Sequence, residues 1–495
     1  MSRIRAGEHR GGGVRRFLTA VLAVILLAVG YLALDVADVV PGILTRDAAA
    51  ATPAAPTPSG TATATSPPAT VPTPAVSASP LVAADVSAPL PAPTVLEAAL
   101  ADELADPALG PSVGVTVRDA YTGARLLDVD ADRPRVPAST AKMLTALAVG
   151  VTLDPASTLP TTVVQGRTPG EVVLVAGGDA LLGVGKGRTT AVAGRAGLGD
   201  LAAQVAAALQ AAGTGAVTVR LDMTYAAGPR YAPGWSMADV HAGFSQGVSM
   251  LGLASQRPRP GHPSPSVSED AVLEAFVAAL RKAGISAKAA PDGTRTLAAA
   301  ADAAELGRVE SAPVRDVLAL ALDDSDNALT ESLARQATVR AGGASTFAAA
   351  VAHVRKTVEG LGVDLTGVRL TDTSGLARGQ VVPARVLGDV LALGASGTVP
   401  TMRDTLAQLP VAGLDGTLAD RFDERGSRTA AGVARAKTGT LTGSSGLAGT
   451  VVDRDGRVLT YVVLADRVPG GFAGTVTARA ALDRFVAALA SCGCR

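Results

Sequence analysis

The chain is 495 residues long, room for a membrane segment, a linker and about two domains of roughly 100 to 200 residues each. Its 44 basic and 44 acidic residues cancel to a formal charge of zero. With no net field to gather a polyanion, the sequence excludes nucleic acid as a partner on electrostatic grounds.

In chain order, residues 1–16 carry Arg3, Arg5, Arg10, Arg15 and Arg16 against the single acid Glu8, and residues 17–34 are uncharged and apolar. A run of that length is near the lower limit for a membrane helix. The basic flank keeps the N-terminus cytoplasmic and puts everything after Leu34 outside. A cleaved secretory signal is the alternative, but its apolar region normally runs about 7 to 15 residues, and the best small-residue site here, Ala48-Ala49-Ala50, is distant. Both readings imply export; the uncleaved anchor fits better. Residues 35–93 read as a linker. Within it, residues 48–84 hold no charge and consist almost wholly of Ala, Pro, Thr, Ser and Val, a composition that builds no core and favours extended chain. As polyproline II, at about 3.1 Å per residue, that stalk would reach about 115 Å.

The folded part starts near Thr94 and shows no 20- to 50-residue repeat, which argues against a solenoid or propeller. Ser112 to Arg118 and Arg125 to Val129 flank the loop Asp119–Ala124 as a hairpin, with Gly123 as the permissive turn residue. After Pro137 an apolar run from Ser139 to Val149 predicts a helix opening at about Ser139. Strands are predicted at Val172–Ala176 and Val217–Leu221, and helices at Leu198–Ala212 and Ala271–Ala283. Near the end come β-type runs at Ala434–Lys437, Gly446–Val452 and Val458–Leu464, then an amphipathic helix at Val476–Leu489. Both cysteines, Cys492 and Cys494, fall in residues 491–495, which read as a C-terminal tail.

Each of the six lysines is informative, because basic positions are otherwise filled by arginine. Lysine can be desolvated until it takes a proton, whereas arginine stays charged. Lys142 follows Ser139 by three positions in Ser139-Thr140-Ala141-Lys142, so on a helix the amine reaches the hydroxyl. A neutral amine is one known activator of a serine nucleophile, and a helix N-terminus adds N–H groups that favour negative charge on a substrate oxygen. By itself S-x-x-K occurs widely by chance. Here Ser325-Asp326-Asn327 and Lys437-Thr438-Gly439 follow in order, completing the three-part motif of penicillin-binding proteins and serine β-lactamases.

Each part suits a task. Ser325 can relay a proton between Lys142 and a leaving amine, and the amide of Asn327 can donate to and accept from a substrate backbone. Lys437 can bind a terminal carboxylate as a point charge. Thr438 and Thr440 can add hydroxyl contacts, and Gly439 leaves room for close approach. Taken singly, Ser325 and Asn327 also fit a turn or helix cap, and Lys437-Thr438-Gly439 an ordinary strand end. The histidines His9, His241, His262 and His353 lack helical zinc spacing, and neither His241 nor His353 belongs to a recognisable triad. No metal and no cofactor are expected.

The surrounding residues narrow the family. Pro137-Ala138-Ser139-Thr140-Ala141-Lys142, the run Arg315 to Glu331, Asp372-Thr373-Ser374-Gly375-Leu376, and Leu409-Pro410-Val411-Ala412-Gly413 through Gly416-Thr417-Leu418 to Leu441 resemble the class C low-molecular-mass penicillin-binding proteins, the D-alanyl-D-alanine carboxypeptidase/endopeptidase family. The resemblance implies an α/β fold: a serine β-lactamase/penicillin-binding-protein-like domain, with an antiparallel sheet flanked by helices, made of residues 94–150 and 311–490. It also implies an inserted domain at residues 151–310, in keeping with the 183 positions between Lys142 and Ser325; Pro233-Gly234-Trp235 and Gly177-Gly178-Asp179 look like family landmarks within it. Gln256 to Ser266, rich in Pro and Arg, departs from the family as a loop, and Thr373 stands where a glycine is common.

By that resemblance Ser139 forms an acyl-enzyme, Lys142 is the general base, Ser325 and Asn327 complete the relay and substrate contacts, and Lys437, with Thr438, Gly439 and Thr440, steers the substrate carboxylate. The backbone N–H groups of Ser139 and Thr440 would form the oxyanion hole, worth roughly 3 to 4 kcal/mol per donor. The implied partners are peptidoglycan stem peptides, with β-lactam antibiotics as inhibitors, and the membrane through the N-terminal helix. The implied location is a single-pass cell-membrane protein with its catalytic domain extracytoplasmic. A serine β-lactamase would share the acylating groups but needs fast deacylation, and no glutamate motif for it stands between Asn327 and Lys437. A non-catalytic wall-binding protein is the third reading, opposed by the intact serine and lysine.

Overall fold

The computed structural model describes residues 84–493; the predicted membrane helix and the stalk up to residue 83 lie outside the described residues. Among the described residues no helix is long and apolar enough to cross a membrane. Contact with the fold begins upstream of Thr94: Asp85 N–H donates to Gly456 O at 2.8 Å, and the Arg457 guanidinium donates to the carbonyls of Val86 and Ala88.

Helix α1 (Pro93–Leu104) opens on a proline, whose missing N–H is no loss at a helix start, and buries Leu96 and Leu100. Strands β1 (Val113–Asp119) and β2 (Arg125–Val129) form the expected hairpin. After β3 (Pro134–Arg135) and a 3₁₀ turn at Ala138–Ala141 comes α2 (Lys142–Thr152), buried from Lys142 to Val149. Next are β4 (Pro160–Gln165), β5 (Glu171–Val175), α3 (Leu198–Ala211), β6 (Ala216–Asp222), α4 (Ser268–Lys282), β7 (Ser286–Ala289) and β8 (Glu305–Glu310). Helices α5 (Val314–Asp323), α6 (Asn327–Arg340) and α7 (Phe347–Gly360) follow. Then come β9 (Val382–Pro383), paired with β3, and helices α8 (Ala384–Ala395) and α9 (Pro400–Ala407). The chain closes with β10 (Ala434–Leu441), β11 (Ser444–Val452), β12 (Val458–Ala465) and α10 (Gly471–Ser491).

The two ends of the described chain make one antiparallel sheet of order β10-β11-β12-β1-β2, with Val117 opposite Tyr461 and Lys437 opposite Ala448. Both faces are covered, which is why β12 is apolar along nearly its whole length, interrupted only by Thr460, rather than alternating. Leu447, Tyr461 and Val463 point into a core with Leu96 of α1 and Phe485 of α10. Ala448, Val462 and Leu464 point the other way, to Leu144 and Leu147 of α2 and Val386 and Val390 of α8. Burying each such Leu or Val stabilises the fold by about 1.5 to 3 kcal/mol.

Residues 160–310 supply a second sheet, of order β7-β6-β5-β4-β8. Its β5–β6 and β6–β7 pairs are parallel, a geometry that requires long crossovers, and α3 and α4 provide them. Their apolar faces fill a core with the strands: Leu174 and Val219 meet Val205, Leu209, Phe276 and Leu280. Ala328 of α6 and Leu376 and Ala377 of the loop after α7 belong to that same core. Trp235 stacks tilted on Phe347 with ring centroids 5.9 Å apart.

Three sequence expectations need correction. The helix expected to open at about Ser139 opens at Lys142, because Ala138 takes a left-handed φ of +47° and the chain passes through a 3₁₀ turn first. The strand expected at Ala434–Lys437 continues to Leu441: pairing with Ser444–Leu447 across the Thr442-Gly443 turn extends it where hydrophobic pattern is absent. The last helix starts at Gly471 and ends at Ser491, and Cys492, expected in a loose tail, is buried and disulfide-bonded. Cys494 lies outside the described residues.

Candidate active site

The turn that carries Ser139 is gripped from two sides. A Cβ on Gly375 would fall 1.9 Å from Ala138 O, and one on Gly439 would fall 2.6 Å from Pro137 O, so only glycine lets these two backbones approach so closely. Thr140 Oγ1 donates to Pro137 O at 2.6 Å and closes the turn. Ser139 is left half-buried while Lys142 is wholly buried.

Lys142 Nζ donates to three acceptors: Ser139 Oγ at 2.8 Å, Asn327 Oδ1 at 2.6 Å and Ser374 O at 2.8 Å. The three-residue spacing therefore brings the serine and lysine together, and the second motif supplies a further contact through its asparagine. Burial draws the Lys142 ammonium down to about 8, against the opposing pull of Asp372, Glu331 and Asp326. Asn327 is engaged at both ends of its amide, because Nδ2 donates to Phe244 O at 2.7 Å.

Ser325 occupies a left-handed turn at φ +54°, and among the described residues it is not one of the hydrogen-bond partners of Lys142. Asp326 caps α6 by accepting from Leu329 N–H at 2.9 Å, which satisfies an orphan helix donor. Its other oxygen accepts from Arg257 Nε at 2.8 Å. The Pro- and Arg-rich segment Gln256–Ser266 is thus tied to this motif by an ion pair.

Residues beyond the three motifs complete the surroundings. Asp372 is buried and receives Trp235 Nε1–H at 2.8 Å, Gln380 Nε2 at 2.7 Å and the N–H groups of Gly375 and Ala377, each at 2.7 Å. Glu331, also buried, accepts from Thr373 N–H and Oγ1; burial and then Asp372 push its carboxyl up to about 7. The Ser374 carbonyl, which contacts Lys142, could not be read from the sequence, since a backbone oxygen leaves no mark in residue type.

Lys437, Thr438, Gly439 and Thr440 lie in β10, an edge strand beside the Ser139 turn. Lys437 is wholly buried and donates to Thr438 O at 3.1 Å, while Thr438 Oγ1 bonds Thr417 Oγ1 at 3.1 Å. Burial, then the charge of Lys142, holds the Lys437 amine well below its ordinary value, with Asp323 acting the other way. Thr440 is half-buried. The histidines stay apart: His241 is exposed, and His353 bonds Thr152 Oγ1 at 2.9 Å. Among the described residues there is no group of three or more His, Cys, Asp or Glu able to hold a metal ion.

The D-Ala-D-Ala carboxypeptidase 3 (S13) family matches residues 96–261 and 262–489. Carboxypeptidase DacB of Mycolicibacterium smegmatis is 37% identical over 429 residues, covering 86% of this chain and 90% of that protein. Carboxypeptidase Rv3627c of Mycobacterium tuberculosis is 34% identical over 383 residues, covering 76% of this chain and 80% of that protein. Among solved structures, penicillin binding protein 4 (dacB) from Haemophilus influenzae shares the fold. Its TM-score is 0.62 at 19% identity, over 80% of this chain and 97% of that one.

Proposed function

This chain belongs to the D-Ala-D-Ala carboxypeptidase 3 (S13) family, and from that premise we propose that Ser139 is the nucleophile of a serine D-alanyl-D-alanine carboxypeptidase/endopeptidase acting on peptidoglycan peptides. Ser139 Oγ bonds to the penultimate D-alanine carbonyl carbon as Lys142 takes its proton. The C–N bond then breaks, the amine leaves with a proton, and water hydrolyses the ester. The observation that carries this is the 2.8 Å contact between Ser139 and a buried lysine whose pKa falls to about 8, a base poised near working pH.

Lys437 supports the substrate orientation. A buried amine held below its ordinary pKa regains its charge when a carboxylate arrives, so the terminal carboxylate of the peptide is its ligand. Thr438 and Thr440 offer hydroxyls alongside, and the N–H groups of Ser139 and Thr440 form the oxyanion hole. Lys142 is held by Asn327 and Ser374, and Ser325 relays the proton from Lys142 to the leaving amine once substrate is bound. β-Lactams acylate the same serine and remain there as inhibitors. Residues 94–150 with 311–490 form the catalytic domain and residues 151–310 the insertion, while residues 17–34 anchor the enzyme with its active site outside the cell.

Intact-mass spectrometry of the full chain with benzylpenicillin tests the reading. A stable single adduct on the parent and none on Ser139→Ala is expected; no adduct on either would overturn it, and an adduct lost within seconds would favour a β-lactamase. Membrane fractionation tests the anchor: the full chain should pellet with membranes and a chain lacking residues 1–34 should not.

A further inference from the structure

Among the described residues, Lys142 hydrogen-bonds to no carboxylate. Its partners are a hydroxyl, an amide oxygen and a backbone carbonyl, although Asp372 from its loop, Glu331 from α6 and Asp326 at the α6 cap all favour its charged form. A carboxylate in direct contact would form an ion pair and hold the proton on the amine, which a base cannot tolerate.

The geometry shows what keeps Glu331 occupied. Glu331 Oε1 accepts from Thr373 N–H at 2.8 Å and Oε2 from Thr373 Oγ1 at 2.6 Å, so Thr373 engages both oxygens, and the Ser374 side chain also favours the charged carboxylate. The next residue, Ser374, gives its carbonyl to Lys142 at 2.8 Å. Thr373 O accepts from Thr145 Oγ1 at 2.5 Å, one helical turn beyond Lys142. Asn327 and Glu331 share a face of α6 at four-residue spacing. A ring therefore closes from Lys142 to Asn327, along one turn of α6 to Glu331, across to Thr373, and through Ser374 back to Lys142.

We propose that Thr373 and Glu331 are a positioning pair for Lys142: the threonine hydroxyl holds the carboxylate off the amine, and the paired loop fixes the Ser374 carbonyl on it. The pair rests on the reading of Lys142 as the proton acceptor. Around the amine stand Asp326, Glu331, Asp372 and Lys437, with Arg335 the cation on α6 that acts on Glu331. Two substitutions then act in opposite directions. Thr373→Val frees a carboxylate oxygen to approach the amine, raises the Lys142 pKa and moves the acidic limb of the rate profile to higher pH. Glu331→Gln keeps an acceptor for Thr373 N–H but removes a negative charge, so the limb moves to lower pH.

The experiment is stopped-flow acylation of the full chain by a fluorescent penicillin between about pH 5 and about pH 10, with melting curves as a folding control. Thr373→Val is expected to acylate about 100-fold more slowly, the scale of a misplaced catalytic group, and Thr373→Ser to recover most of that rate. A Thr373→Val profile superimposable on the parent's overturns the proposal, as does a Thr373→Ser variant no faster than Thr373→Val. Should Thr373→Val fail to fold, the Glu331→Gln limb decides, and an unmoved limb counts against the pair. An unacylated parent would instead bring down the acyl-transfer reading beneath it.

Discussion

The two five-stranded sheets of this chain are assembled in opposite ways. One joins segments far apart in sequence, β1 and β2 with β10 to β12, in purely antiparallel pairing. The other is built within residues 160–310 and contains parallel pairs bridged by helices. The first sheet sets Lys437 directly and presses Gly439 on the Ser139 turn. Among the described residues the intervening region reaches the site through loops: the Phe244 carbonyl on Asn327, Arg257 on Asp326 and Trp235 on Asp372. The contrast separates a region that presents the proposed substrate-binding groups from one that braces the site.

That division is easiest to break at Lys437. Lys437→Ala removes the ammonium proposed to bind the substrate carboxylate, and kcat/KM on a D-Ala-D-Ala peptide should fall about 100- to 1,000-fold. A peptide whose terminal carboxylate is amidated should lose far less, and equal losses would deny Lys437 that role.

Arg257 probes the brace. Arg257→Ala leaves Asp326, itself nearly buried, without its cation, at a cost of about 1 to 3 kcal/mol in thermal or denaturant unfolding. Because Asp326 still caps α6, acylation should slow by about tenfold or less. A loss as large as that of Lys437→Ala would mean the loop belongs to the reacting region.

The remaining prediction is a pH dependence of stability placed in the second region. Asp179 is buried, and burial pushes its carboxyl from 3.8 up to about 7. The folded chain therefore binds this proton more tightly than the unfolded chain. Its contribution is fully present below about pH 4 and is lost as pH rises toward 7. Asp179→Asn, which cannot ionise, should melt with a flatter profile across that window; identical slopes in both proteins would refute the assignment.

Legibility followed the range of the interactions. The hairpin of β1 and β2, the helices α3 and α4 and the strands β5, β6, β11 and β12 were readable because hydrophobic period and turn residues encode them locally. The turn at Ala138 and the extension of β10 to Leu441 were not, since close backbone approach and strand pairing fix them from outside the segment. Thr373, a puzzling residue in the sequence, acquires a partner only when Glu331, 42 positions away, is brought beside it.

The sequence alone determined the chemistry on offer: a serine and a lysine one helical turn apart, two further motifs in fixed order, and few enough lysines that each stood out. Tertiary structure decided how those groups are used. It brought Asn327 and the Ser374 carbonyl to Lys142 across 185 and 232 positions, left Ser325 outside that contact, and buried both lysines so that desolvation lowers their affinity for a proton. Residue identity specifies which atoms a side chain carries, whereas exclusion of water and the aim of a backbone carbonyl depend on everything packed around them.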